Sequence, residues 1–202
     1  FIFLAVPAIF YPNVVREVAD LASPDHIFVS LTPGYTLQRF HDEFGDAIRV
    51  VRIMPNTPAF VAQGMTAVCM PGLSPEEEAE FHQVLSSFGQ VEVLPERLMD
   101  VIVSVTGSSP AYVYMMIEAM GDAAVSIGLS RDSAYRLAAQ ALIGSATMVR
   151  DTGKHPGALK DDVCTPGGTT IQAVRVLEER GFRSALFEAM LKCHFAGAAP
   201  TT

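Results

Sequence analysis

The hydrophobic pattern of this chain changes its period once, near Glu96, and one layer type cannot accommodate both halves. Before that point short apolar runs alternate with helical segments; after it the strand-like runs stop. Phe1-Ile2-Phe3-Leu4-Ala5-Val6 is apolar throughout, as in a strand buried on both faces. Val14, Val15 and Val18 then recur at helical spacing ahead of Ala19 and Leu21. His26–Leu31, Ile48–Met54, Met65–Met70 and Val91–Leu94 read as further strands, with a short helix around Thr36–Phe44. Ser74, followed by Pro75 and a run of Glu, marks the start of another helix that reaches about Phe88. Alternation of this kind predicts an α/β domain over residues 1–95, built on a mostly parallel, helix-covered sheet.

Residues 96–202 predict an all-α domain. The segments Ala111–Ile127, Arg131–Val149, Pro156–Val163, Thr169–Glu179 and Ser184–Phe195 carry helical patterns. Within Ala111–Ile127 apolar residues cover most of the circumference, so this helix needs cover on every side. Either the sheet of the first half or a second subunit supplies it. The short helical half alone cannot, so the expectation is an obligate dimer, with Ala119, Gly121, Ala123 and Ala124 permitting close helix approach.

Charge and cysteine usage narrow the partners. A net charge of −8 argues against nucleic acid and against an anionic membrane surface. Any anion bound here must be drawn by local donors. The 3 Cys are widely spaced and odd in number, which fits neither a disulfide framework nor a zinc site and predicts a reduced, cytoplasmic setting. The 5 His show no paired spacing, so no metal is expected. The longest uncharged run, Val101–Ile117, is interrupted by Gly, Ser-Ser and Pro and is too short to span a bilayer. No charged segment of a signal peptide precedes the apolar opening.

One stretch carries a chemical suggestion. Asp161-Asp162-Val163-Cys164-Thr165-Pro166-Gly167-Gly168-Thr169-Thr170-Ile171-Gln172 ends a polar turn and opens an amphipathic helix. Adjacent glycines leave backbone N–H groups uncovered at a positive helix end, which suits a small carboxylate. Thr169 and Gln172 have the T-x-x-Q spacing of a capping box, which predicts a helix start at Thr169. Thr170 adds a hydroxyl beside those amides. An ordinary cap after a Gly-Gly turn explains the same residues.

No G-x-G-x-x-G occurs, and the chain opens with Phe inside a strand pattern. The expectation is a chain whose dinucleotide-binding fold begins upstream of residue 1, or else a different fold.

Several runs resemble the pyrroline-5-carboxylate reductase family: Met54-Pro55-Asn56-Thr57-Pro58, Gly107-Ser108-Ser109-Pro110-Ala111-Tyr112, Gly153-Lys154-His155-Pro156 with Leu159-Lys160-Asp161, Thr165-Pro166-Gly167-Gly168-Thr169-Thr170-Ile171, and Val176-Leu177-Glu178 with Gly181-Phe182-Arg183. The resemblance covers nearly the whole chain in register. It implies reduction of the cyclic imine 1-pyrroline-5-carboxylate to L-proline with NADPH or NADH. It further implies a Rossmann-type domain, a helical domain that interlocks with that of a second subunit, dimers that assemble into rings, and a Gly-rich turn upstream of residue 1.

The resemblance also implies roles for individual residues. Gly168, Thr169 and Thr170 would hold the substrate carboxylate through backbone N–H groups, and the Thr170 hydroxyl would meet the ring nitrogen as the catalytic group. Glu96 would contact the ring amine. Val6, Pro7, Leu31, Pro33, Asn56 and Asp162 would face the cofactor. Without it, Glu96 reads as a first-turn carboxylate, Asn56 as a turn cap, His155 as a loop residue before a helix, and Cys164 as a packing residue. Three departures stand out: Pro7 where the family usually has Lys, Ser109 in a Gly-Ser-Gly-Pro pattern, and Leu31-Thr32-Pro33 in an Ala-rich loop. Pro7 and Ser109 keep open a reductase of another cyclic imino acid, and the absent Gly-rich turn keeps open a non-catalytic paralogue with the dimer and a small-molecule site.

Overall fold

The computed structural model describes residues 1–19 and 23–197; Leu21, expected in the first helix, lies outside them. It divides into two compact units. Among the described residues one, the sheet unit, comprises those of Phe1–Pro110 and of Met190–Gly197; the other, the helical unit, is Ala111–Ala189.

The sheet unit is built on strands β1 (Ile2–Leu4), β2 (Ile27–Ser30), β3 (Arg49–Met54), β4 (Gly64–Cys69) and β5 (Gly89–Val93), ordered 1-2-3-4-5. The pairs β1–β2, β2–β3 and β4–β5 are parallel, and β3–β4 is antiparallel. The exception has a local cause. Residues 55–63 between β3 and β4 hold only the short 3-10 turn Thr57–Val61, too little chain for a parallel crossover.

Both faces of the sheet are covered. On one face Phe28 and Val50 pack with Tyr11 and Val15 of α1 (Tyr11–Ala19) and Phe40 of α2 (Leu37–Phe44). On the other, Ile27, Val29, Val51, Ile53 and Val68 pack with Phe81 and Leu85 of α3 (Pro75–Ser86). Alternate residues of one strand thus serve opposite layers, which is why these runs are apolar at nearly every position. Helix starts are set locally. Ser74 and Glu77 form a reciprocal capping box with Pro75 at the first helical position, and Thr36 caps α2 by accepting from the Arg39 amide at 3.1 Å.

After β5 the chain makes a 3-10 turn at Glu96–Leu98, the short α4 (Met99–Ile102) and a π-helical turn at Val103–Gly107. Met99 of α4 is buried with Met54, Ala67 and Cys69. The helical unit follows with α5 (Ser109–Ser126), α6 (Arg131–Thr152), α7 (Pro156–Val163), α8 (Thr169–Glu179) and the first half of α9 (Phe182–Gly197). Only Gly121 of α5 is buried, although its sequence asks for cover all round; Tyr114 and Met115 lie open. Gly121 packs under Tyr135 of α6, where a Cβ would stand 2.5 Å from the ring. At least this small residue of α5 is therefore used inside the chain.

Candidate active site

The turn Thr165–Gly168 and the start of α8 form one group of candidate residues, within the helical unit. Gly167 has φ +67°, a left-handed conformation that other residues resist. Gly168 has an ordinary φ but no room: a Cβ would lie 2.4 Å from Thr165 Oγ1. The two glycines thus answer two different demands. Helix α8 begins at Thr169 as its sequence predicts, but the capping box does not form. Gly168 is the N-cap, no side chain caps it, and Thr169 is the first helical residue. A cap without a side chain leaves the first-turn amides without a local acceptor. The Gly168 amide itself donates to Thr165 O at 3.0 Å, so the amides of Thr169 and Thr170 are the ones left for an acid. Thr169 is exposed and Thr170 half-buried.

Asp162 lies on α7, where Lys154 Nζ approaches Asp162 Oδ2 at 3.3 Å across exposed surface. It also lines a cavity of about 390 Å³ with Met148, Val149, Leu159, Lys160 and Val163. His155 is the N-cap of α7, its Nδ1 accepting from the Gly157 amide at 3.0 Å, in line with a residue that starts a helix. Cys164 is half-buried just past the end of α7.

The remaining candidates belong to the sheet unit. Strands β1, β2 and β3 run parallel, so their carboxyl ends share one edge, the edge at which doubly wound sheets bind ligands. Val6 packs on the core while Pro7 is exposed; Leu31 is half-buried and Pro33 exposed. A hydroxyl joins the first two loops. Tyr11 Oη donates to Leu4 O at 2.9 Å and accepts from the Leu31 amide at 3.1 Å. Asn56 follows β3. Its Nδ2 donates to Thr106 O at 3.0 Å and its Oδ1 accepts from the Met65 amide at 2.9 Å, so its side chain clamps β4 to the π-helical turn and makes no cap bond at the N-cap position it occupies.

Glu96 has partners that the sequence did not suggest. Its Oε1 accepts from Arg52 Nη1 at 3.0 Å and from the Leu37 amide at 2.6 Å. Arg52 also donates to Asp100 Oδ1 at 2.9 Å, and that oxygen accepts the Gly34 amide at 3.2 Å. Arg52 is 2% exposed, a cation inside the sheet layer. Two signals could have found this cluster: a charge breaking the apolar run of β3, and carboxylates four residues apart at 96 and 100.

This architecture, a mostly parallel five-stranded sheet followed in the chain by a helical region, is that of Rossmann-type oxidoreductases with a helical dimerisation domain. Residues 96–197 match the family model described as pyrroline-5-carboxylate reductase dimerisation. The chain is 51% identical over 193 residues to the pyrroline-5-carboxylate reductase of Escherichia coli, covering 95% of this chain and 72% of that protein. It is 45% identical to the enzyme of the same name from Synechocystis, covering 89% of this chain and 68% of the relative. Among solved structures, the reductase of Coxiella burnetii superposes with a TM-score of 0.88 at 30% identity, over 97% of this chain and 74% of that one. The pyrroline carboxylate reductase of Plasmodium falciparum, solved with NADP bound, gives 0.87 at 27% identity, over 96% and 79%. The chain belongs to the pyrroline-5-carboxylate reductase family.

Proposed function

We propose that this protein reduces 1-pyrroline-5-carboxylate to L-proline with NADPH or NADH, a step of proline biosynthesis. Family membership supports the reaction, and the start of α8 is the observation that carries it to particular residues: an N-cap with no side chain, followed by first-turn amides and the Thr170 hydroxyl. The amides of Thr169 and Thr170 bind the substrate carboxylate, aided by the positive helix end. Gly168 contributes by its missing side chain, which lets Thr165 close the turn that leads into α8. The Thr170 hydroxyl donates to the ring nitrogen, on which electron density develops, or relays a proton to it from water. The Glu96 carboxylate favours the protonated imine by its charge, through Oε2, since Oε1 serves Arg52 and Leu37.

The strand-edge loops suit the nicotinamide half of a dinucleotide. Val6, Pro7, Leu31, Pro33 and Asn56 are all uncharged, which fits a flat, weakly polar ring better than a phosphate. A nicotinamide bound there supplies the hydride; the rest is positioning by the protein. Asp162 contacts the cofactor from α7.

In this reading residues 1–95 belong to the dinucleotide-binding domain and 96–202 form the helical dimerisation and substrate domain; the family match that starts at residue 96 supports the limit. The protein works as a homodimer through interlocked helical domains, with rings of dimers as the higher assembly, in the cytoplasm. Among the described residues no helix is long and apolar enough to cross a membrane.

The test is oxidation of NADPH or NADH in the presence of 1-pyrroline-5-carboxylate, with L-proline as product. Thr170→Ala should lower turnover by about 10- to 10⁴-fold, the reach of general-acid assistance. Unchanged turnover in that variant removes Thr170 from the mechanism.

A further inference from the structure

Arg52 invites a question that its place in the fold does not answer. A buried cation is costly to desolvate, and an apolar residue in its place would serve stability as well or better. What an apolar residue cannot do is hold two carboxylates at fixed points. Here one guanidinium grips Glu96 Oε1 and Asp100 Oδ1, and each of these oxygens accepts a backbone amide from the segment after β2: Leu37 at 2.6 Å and Gly34 at 3.2 Å. The other end of that segment is tied at Leu31, whose amide donates to Tyr11 Oη. Between the ties Tyr35 is buried, its ring 5.0 Å from that of Tyr11. Segment 31–37 is thus fastened at three amides and one side chain, and exposes Pro33 at the strand edge.

We propose that Arg52 is a positioning residue for the cofactor-facing segment 31–37, acting through Glu96 and Asp100. The inference rests on the reductase reading for the identity of the ligand at that edge. Charge-assisted bonds are shorter and stronger than neutral ones, and a guanidinium fixes the angle between its two partners as an ammonium does not. Removing the guanidinium leaves two carboxylates crowded together; they move apart, and the amides of Gly34 and Leu37 move with them. The substrate carboxylate is held on α8, so the larger loss falls on cofactor binding; the freed Glu96 adds a smaller loss on the imine side.

The experiment uses the full chain. It has 0 Trp, so direct excitation of the reduced nicotinamide reports NADPH binding without interference from indole. Arg52→Met, checked for folding by thermal unfolding, should weaken NADPH binding by about 10-fold or more and raise the KM for the imine by a clearly smaller factor, since it also frees Glu96. Arg52→Lys, which restores the charge but not the fork, should fall between Arg52→Met and the parent, and so should Asp100→Asn. If Arg52→Met does not fold, these two milder variants decide. Folded variants that bind NADPH as the parent does overturn the proposal. So does a KM for the imine that rises in step with the NADPH dissociation constant, because that marks a purely structural role. A parent protein that binds no dinucleotide overturns it as well. A parent that binds NADPH yet leaves the imine unreduced refutes the reductase reading alone, and the dissociation constants still judge Arg52.

Discussion

The sheet unit and the helical unit bury their side chains to very different extents. The sheet unit hides Phe28, Val29, Val51, Phe81 and Leu85 almost completely. In the helical unit the buried residues, among those described, are Gly121, Ala134 and Ala138, nothing larger than alanine. Its large apolar side chains remain open: Met115 and Tyr114 on α5, Leu137 and Ile143 on α6, Phe187 on α9. Helical propensity is present in both units, yet most helical stability in proteins comes from packing an apolar face, and the helical unit has no core of its own to pack against. One unit carries its core within a single chain. The other is completed by the second subunit proposed above.

The contrast breaks first if the sheet core proves dispensable. Phe81 of α3 is fully buried and stacks on Phe1 with ring centroids 4.6 Å apart. Phe81→Ala should cost about 3–5 kcal/mol, the usual loss for a buried aromatic, read from denaturant unfolding. A loss below about 1 kcal/mol would show that the layer between sheet and α3 repacks freely, and the unit would not deserve its description as self-sufficient.

The next variant sharpens the other side. Met115 is 68% exposed in the single chain. Were the protein a monomer, Met115→Glu would be a surface change worth less than about 0.5 kcal/mol. In a dimer closed over α5 the same change buries a charge and should weaken association by about 2 kcal/mol, or about 30-fold in the dissociation constant. Sedimentation equilibrium across protein concentration separates the two. An unchanged dissociation constant would mean that α5 does not face the partner.

The two units were also legible from sequence to different degrees. Strands such as β3 are readable because a strand covered on both faces is apolar at almost every position. Arg52 interrupts β3, and its meaning was hidden because it depends on which residues α4 and the turn before it bring to that face. The spacing of Glu96 and Asp100 hinted at a shared partner without naming it. Helix α8 began where the T-x-x-Q pattern placed it, but for another reason: Thr165 O engages the Gly168 amide, and the chain enters the helix through Gly168 and not through a threonine cap. The π-helical turn at Val103–Gly107 left no periodic trace. It is defined by a backbone bond from the Ser108 amide to Val103 O, five residues back, which no residue type demands. Residues adjacent in sequence, such as Gly168–Thr170, could be grouped in advance; partners chosen by the tertiary fold could not.

The smallest expected effect concerns acid, and it again belongs to the sheet unit. Glu77 binds Arg49 through both carboxylate oxygens, at 2.8 and 2.6 Å, and accepts the Ser74 amide at 2.8 Å. The Arg49 guanidinium first, and the Ser74 amide second, hold its pKa at about 2, against an ordinary 4.5. Because the folded value is the lower one, the unfolded chain takes up the proton first as pH falls. The stabilisation is fully present above pH 4.5 and drains away between 4.5 and about 2. Glu77 is partly open to solvent, so the effect is modest and screened by salt. Denaturant midpoints measured from pH 5 to pH 2.5 should therefore fall more steeply for the parent than for Glu77→Gln, with the two curves separated at pH 5 and converging in acid. Parallel curves would mean that the Arg49–Glu77 pair, which joins β3 to the first turn of α3, is a surface contact with no share in holding that layer together.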